Sequence, residues 1–181
     1  LQRGLNGEVI LPEEAAAARA VRIEATFTDA GAAPASPLTH RACVTLRQRR
    51  IEAEFCDAKS GTQVLGGGSA SGGNFIGDTS HGNHLKFSAL NLSGVSKITC
   101  RAASGGQGGW VEFHAGEPGG PLIAKLEVPV TGGWETWTEI TAPLVKPENP
   151  HADLYLVFIN PGKSGLMNVD FADVKTIMQN M

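Results

Sequence analysis

From Ile51 onward, apolar residues recur at every second position in short runs, and each run stops at a cluster of Gly, Pro, Asn, Asp or Ser. The runs cover 51–55, 84–90, 97–103, 110–115, 122–128, 136–141, 154–159 and 167–174. A period of two sends alternate side chains to opposite faces of a strand, and none of these runs carries the 3.6-residue period of a helix. Short strands at this spacing predict an all-β domain, a two-sheet antiparallel β-sandwich. Sixteen of the 23 glycines fall between Gly61 and Gly120, so the loops there should be tight and closely approached.

The first 47 residues read differently. Glu13 to Ala20 is Ala-rich, enough for a helical turn or two. Val21 to Phe27 then alternates cleanly and Ala42 to Leu46 more weakly, with turn residues from Asp29 to Pro37 between them. That is a hairpin, and a hairpin alone is marginal in water. It belongs either to the end of a preceding β module or against the main domain. The organisation expected is residues 1–47 as the tail of a preceding β module plus linker, and residues 48–181 as the sandwich. The start, Leu1-Gln2-Arg3-Gly4, has neither an initiator Met nor a signal-peptide core and reads as a piece of a longer chain.

Charge and cysteines remove several functional classes. The formal net charge of -3 is uneven: residues 1–50 carry 7 Lys and Arg against 5 Asp and Glu, and the remainder 8 against 13. A mildly acidic domain with no basic stripe gains little from releasing counterions off a phosphate backbone, so nucleic acid is not an expected partner. The one basic cluster, Arg47-Gln48-Arg49-Arg50, reads as a solvated linker. No segment approaches the roughly 18 apolar residues of a membrane helix, so no membrane is expected either. Cys43, Cys56 and Cys100 form no CxxC, and alternation puts Cys100 on the apolar side with Ile98 and Ala102. The run Gly66 to Gly73 lacks the Lys-Ser or Lys-Thr and the strand-loop-helix setting of a phosphate-binding loop.

The side chains that could carry chemistry lie elsewhere. Trp134 and Trp137 stand three apart, so strict alternation places at most one of them in the core. In Trp110-Val111-Glu112-Phe113-His114, Val111 and Phe113 make the apolar face and leave Trp110, Glu112 and His114 together on the other. Glu52 and Glu54 stand two apart, so on a strand both carboxylates share one face. Asp78, His81 and His84 are close in sequence, but their spacing matches no zinc pattern and no catalytic constellation surrounds them.

One order of motifs ties these residues together: Ile51-Glu52-Ala53-Glu54, then Gly132-Gly133-Trp134-Glu135-Thr136-Trp137, the strand Leu154 to Phe158, and Asn168-Val169-Asp170-Phe171. Over roughly residues 48–175 it resembles the family 6 carbohydrate-binding modules, galactose-binding-like jelly-roll sandwiches that hold polysaccharide and catalyse nothing. The resemblance implies Trp134 as a sugar platform in a loop-end cleft, Trp137 packed inside and Asn168 reading ring hydroxyls. It implies a structural Ca²⁺ held by Glu52, Glu54 and Asp170, oxygen ligands of the type Ca²⁺ takes. It also implies a secreted or extracellular setting, the periplasm included, with polysaccharide and the other modules of a bacterial parent polypeptide as partners. Residues 26–47 look like the tail of the module that precedes such domains.

This chain departs from the family where a second aromatic should face Trp134. Asp78 stands there, and His84 replaces a later aromatic. Three outcomes stay open: a one-sided cleft with Asp78 and His81 as polar contacts, Phe75 as the missing face, or a structural module that has lost sugar binding. Trp110 with Glu112 is either a second sugar-binding surface, such as the family sometimes carries, or a patch covered by a loop.

Overall fold

The computed structural model describes residues 20–32, 34, 36–88 and 90–176. The chain falls into two compact units that divide between Leu46 and Arg47. In the first, β1 (Ala20–Thr28) and β2 (Thr39–Arg47) form a two-stranded sheet. Asp29 shapes the connection, its carboxylate accepting hydrogen bonds from the backbone N–H of Gly31 at 2.9 Å and of Leu38 at 3.0 Å. The Ala-rich stretch expected to be helical lies outside the described residues, apart from Ala20, which opens β1.

The second unit is built from β3 (Arg50–Glu52), β4 (Ala58–Ser60), β5 (Gln63–Gly66), β6 (Asn74–Gly77), β7 (His84–Phe87), β8 (Val95–Ala103), β9 (Gly109–Ala115), β10 (Leu122–Val128), β11 (Thr138–Pro143), β12 (Leu154–Ile159) and β13 (Asn168–Thr176). One sheet runs β10-β9-β12-β7-β4; the other runs β11-β8-β13-β6-β5, with β3 also paired to β13. Every pairing in these two sheets is antiparallel. The alternating runs supply the faces that meet: Val111, Phe113, Leu156, Phe158, Leu85 and Phe87 from one sheet, Ile98, Cys100, Ala102, Ala172 and Ile76 from the other, all buried in one core. Burial pushes the Cys100 thiol up to about 12, so it stays protonated and behaves as a small apolar side chain.

The first predicted strand is corrected. Pairing with β13 stops at Glu52, and Ala53–Phe55 forms a 3-10 turn instead. Glu54 therefore leaves the strand, and the face it was expected to share with Glu52 does not exist. Alternation could not separate the two cases, because Ile51 and Ala53 are buried in either. Three strands carry no periodic signal. β4 and β5 are exposed along their whole length and lie at sheet edges, where nothing selects apolar alternation; β6 follows a Gly-rich loop and buries three residues in succession.

Arg47 opens the second unit and grips both oxygens of Asp57, at 2.8 and 2.9 Å. A chain begun at Arg47 is expected to unfold in one cooperative transition with a midpoint within a few degrees of the full chain's. Loss of cooperative melting on that truncation, followed by circular dichroism, would place the hairpin in the core instead.

Candidate functional site

The loops at one end of the sandwich are organised by buried hydroxyls. Ser104, fully buried, donates to the Leu166 carbonyl at 2.5 Å and accepts from Gly108 N–H at 3.0 Å. Thr79 donates to the Met167 carbonyl at 2.6 Å and accepts its N–H at 3.0 Å. These bonds satisfy backbone groups that loops would otherwise bury unpaired. On this floor stands Trp134, 45% exposed. A Cβ on Gly105 would lie 3.0 Å from its indole nitrogen, and one on Gly106 would lie 2.7 Å from its ring, so only glycine lets the ring settle there.

Trp134 forms one wall of a cavity of about 420 Å³ whose other walls are Leu65, Phe75, Asp78, Thr79, Gly165 and Asn168. Asn168, at the start of β13 and almost wholly buried, donates from Nδ2 to the Trp134 carbonyl at 2.7 Å. That bond spans the cavity's edge and ties the tryptophan turn to the sheet. Leu65 and Asn168 both crowd the space a Cβ on Gly77 would take, at 2.5 and 2.8 Å, so glycine there draws β5 in toward β13. Asp78 also lines the cavity. Its φ of 55° makes it the one non-glycine residue in the left-handed region among those described, and its carboxylate accepts from Gln63 Nε2 at 2.9 Å. Such strain at a cavity wall is typical of functional positions.

Two residues fall outside this geometry. His81 does not line the cavity; its Nδ1 accepts the Asn160 N–H at 3.3 Å and its own N–H donates to Lys163, so it braces the 160–163 turn. Phe75 is 4% exposed and meets Trp137 edge-on at 5.4 Å, so it is floor and not a free platform. The apolar surface across from Trp134 is Leu65, 37% exposed, which the sequence reading missed. Trp137, expected inside, is half-buried beside the core and donates from Nε1 to Ser69 Oγ at 2.8 Å.

The acids gather around the loop at Ser71. Asp170 is fully buried because a bulge in β13, between Val169 and Phe171, turns it out of the ladder with β8. It accepts from Ser71 N–H at 3.0 and 3.1 Å and forms a salt bridge with Arg101. Glu52 Oε1 accepts from Ser71 Oγ at 3.0 Å, while its Oε2 is buried without a hydrogen-bond partner. Burial, with the charge of Asp170 adding, pushes the Glu52 carboxyl above the usual range despite the Ser71 bond. Glu54 Oε1 lies 3.6 Å from where a Cβ on Gly72 would stand. Among the described residues no three acidic, histidine or cysteine side chains stand ready as a complete metal-ligand set. The donor chemistry fits a hard cation nonetheless: an orphaned buried carboxylate oxygen beside a second glutamate is what such an ion would relieve.

On the outer face of the first sheet, Trp110, Glu112 and His114 lie together as alternation required, all half-buried. Lys125 binds Glu112 at 2.8 Å and holds its ammonium 5.1 Å from the centre of the Trp110 ring. His114 places Nδ1 2.7 Å from the Gly120 carbonyl and Nε2 3.2 Å from Glu112. Burial alone would raise the Glu112 carboxyl, but hydrogen bonds with Lys125 and His114 outweigh it and hold it below its usual range.

The sequence model of the family described as carbohydrate binding module (family 6) matches residues 52–176. A solved β-1,3-glucan-binding module of that family from Bacillus halodurans is 36% identical, with a TM-score of 0.65 over 71% of this chain and 96% of its own. A family 6 module from Clostridium cellulolyticum, solved with xylose, is 28% identical, with a TM-score of 0.63 over 70% of this chain and 95% of its own. Endo-1,4-β-xylanase A of Thermoclostridium stercorarium is 31% identical over 122 residues, 67% of this chain and 18% of that protein. An arabinoxylan arabinofuranohydrolase of Paenibacillus polymyxa is 38% identical over 63 residues, 35% of this chain and 10% of that protein. The matches thus span only 10% and 18% of the length of these curated relatives.

The bond from Asn168 to the tryptophan turn carries a measurable cost. Asn168→Ala strands the Trp134 carbonyl, and the expected loss is about 1–3 kcal/mol in denaturant unfolding. The tryptophan emission of the native state should also shift, since Trp134 loses its anchor. Unchanged stability and emission would show that the turn holds itself.

Proposed function

The chain belongs to carbohydrate-binding module family 6, and we propose that it holds a polysaccharide, without catalysis, in the loop-end cleft between Trp134 and Leu65. The observation that carries this reading is the exposed Trp134 ring on the wall of a 420 Å³ cavity that also offers Asn168 and Asp78. Sugars present apolar C–H faces rimmed by hydroxyls, so a flat ring beside amide and carboxylate groups suits both parts. A leucine opposite, in place of a second aromatic, supplies apolar contact without a flat face. Affinity should therefore be weak, about millimolar rather than micromolar. The relatives named for β-1,3-glucan and xylose make β-linked glycans the first ligands to try.

Trp134→Ala should abolish binding of β-linked oligosaccharides in calorimetric titration, while Trp110→Ala should leave it within about twofold of the parent, a difference under about 0.5 kcal/mol. Loss with Trp110→Ala alone would move the site to the sheet face, through Trp110 and Glu112. A parent protein that binds no glycan would favour the second reading, a structural β-sandwich that no longer binds sugar. The observation behind that reading is that, among the described residues lining the cavity, the only aromatic besides Trp134 is Phe75, which is buried.

We also propose that Glu52, Glu54 and Asp170 hold a structural calcium ion at the Ser71 loop. The support is the orphaned Glu52 oxygen and the raised Glu52 carboxyl. A bound calcium ion would supply the positive charge that lets Glu52 ionise where burial opposes it. Calcium at a hundredfold excess over its Kd would add about 2.7 kcal/mol to folding stability. Without it, the folded state holds the Glu52 proton more tightly than the unfolded state does. Metal-free stability therefore falls as pH rises from the usual carboxylate range through the raised value. Glu52→Gln should raise the melting temperature in chelator and lower it in calcium; an equal effect in both would remove the ion from this site.

The parent polypeptide, on this reading, is a multimodular secreted protein, and any catalysis belongs to its other modules. The lengths of the relatives support this, both being named as glycan-cleaving enzymes. Among the described residues no helix is long and apolar enough to cross a membrane.

A further inference from the structure

We propose that Asp78 makes the loop-end cleft charge-selective, so that its preferred ligand carries an ammonium group on the sugar ring, as a 2-amino-2-deoxyhexose unit does. The inference rests on the reading of this cleft as the sugar site and names the class of sugar it takes. Among the described residues, those lining the cavity include one carboxylate, Asp78, and no Lys, Arg or His. The partner of that carboxylate is the neutral amide of Gln63, on Oδ2, so its negative charge is not cancelled by a cation. A second carboxylate, Glu135, lies close by: its Oε2 and the Phe75 ring edge both stand 2.7 Å from where a Cβ on Gly67 would be. The guanidinium of Arg101 is spent on Asp170 and on the Ser69 carbonyl.

The other wall strengthens the case. The exposed Trp134 ring covers an apolar sugar face and attracts a cation placed over it, through the negative face of the indole. A carboxylate and an indole lining one cavity, with Leu65 and Phe75 as its apolar lining, is a pairing that suits a flat amphiphile bearing one positive charge. A neutral sugar meets the ring and donates hydroxyls to Asp78, but gains no charge attraction. A uronic acid meets like charge.

The two attractions are each modest at an open site, so the expected preference is about three- to tenfold for glucosamine oligomers over neutral β-linked glucose oligomers of equal length. N-acetylated oligomers, which have lost the charge, should rank with the neutral ones. Added salt should shrink the preference, since both partners are exposed.

The test is titration of the intact chain with β-linked glucosamine, N-acetylglucosamine, glucose and glucuronate oligomers, repeated on Asp78→Asn. Asn is chosen because it tolerates positive φ as Asp does, so the backbone at 78 is kept. Asp78→Asn is expected to lose the preference, binding the glucosamine and glucose oligomers within about twofold of each other whatever the change in overall affinity. A parent that binds all four oligomers equally, or a preference that survives Asp78→Asn, overturns charge selection while leaving sugar binding intact. Failure of every oligomer to bind overturns both this inference and the reading on which it rests.

Discussion

A carboxylate buried to zero exposure fixes the architecture of the loop end, because an unpaired charge in that position costs several kcal/mol and the surroundings must neutralise it. Asp170 reaches that position only because β13 bulges, and its two oxygens then dictate the partners. Ser71 N–H pulls in the 67–73 loop, and Arg101 is drawn across from β8. Arg101 in turn holds the Ser69 carbonyl and lies 5.1 Å from the centre of the Trp137 ring. Ser69 Oγ closes the circuit, accepting from Trp137 Nε1 and donating to Glu135 at 2.6 Å. The tryptophan turn is thus tethered on one side by this charged network and on the other by Asn168. The acidic cluster and the loop-end cleft are joined through the tryptophan turn, which Ser69 holds on one side and whose Trp134 lines the cleft on the other.

The sandwich was legible where burial on one face imposes a period of two. Val111, Phe113 and Ala115, or Leu154, Leu156 and Phe158, could hardly alternate or cluster so for another reason. The same logic failed at β4 and β5, exposed edges with no face to mark. It also failed at Ala53–Phe55, where a 3-10 turn buries Ala53 as a strand would. The site was less legible still. Trp134 was visible as one of two tryptophans that could not both face inward. Leu65, which lines the same cavity, lies 69 positions earlier on an edge strand exposed along its whole length, and no local pattern points to it. Nothing in the sequence singles out Arg101, because the bulge that sends Asp170 toward it leaves no trace in residue type. The Ser104 and Thr79 hydroxyls, fully placed inside the loops, read in sequence as ordinary turn residues.

Replacing an aromatic by Asp78 does more than remove one wall of a sandwich. An aromatic there would clasp a ring on both faces and read little of its rim. On the proposed reading, a carboxylate held there at positive φ would read the rim and leave one face to water. Strength is exchanged for discrimination: hydrophobic contact is indifferent to the orientation of a hydroxyl, whereas a charged acceptor is not. The glycine at 77 fits this arrangement, since any side chain there would push Leu65 and Asn168 apart and widen the cleft.

The half-buried Trp110 and the exposed Trp134 are not equivalent, and part of the difference is one of prior occupancy. The Trp110 ring already has a cation, Lys125, held over it by a bond to Glu112 that is itself reinforced by His114. A sugar arriving there must break a charge-assisted contact and leave Glu112 with one fewer partner in a half-buried setting, at a cost comparable to the stacking it would gain. At Trp134 nothing has to be displaced: the carbonyl is satisfied by Asn168, the ring rests on glycine backbone, and its outer surface meets an open cavity. The cleft whose ring is uncovered, and whose Asp78 carboxylate meets only a neutral amide, is the one with free energy left to give a ligand.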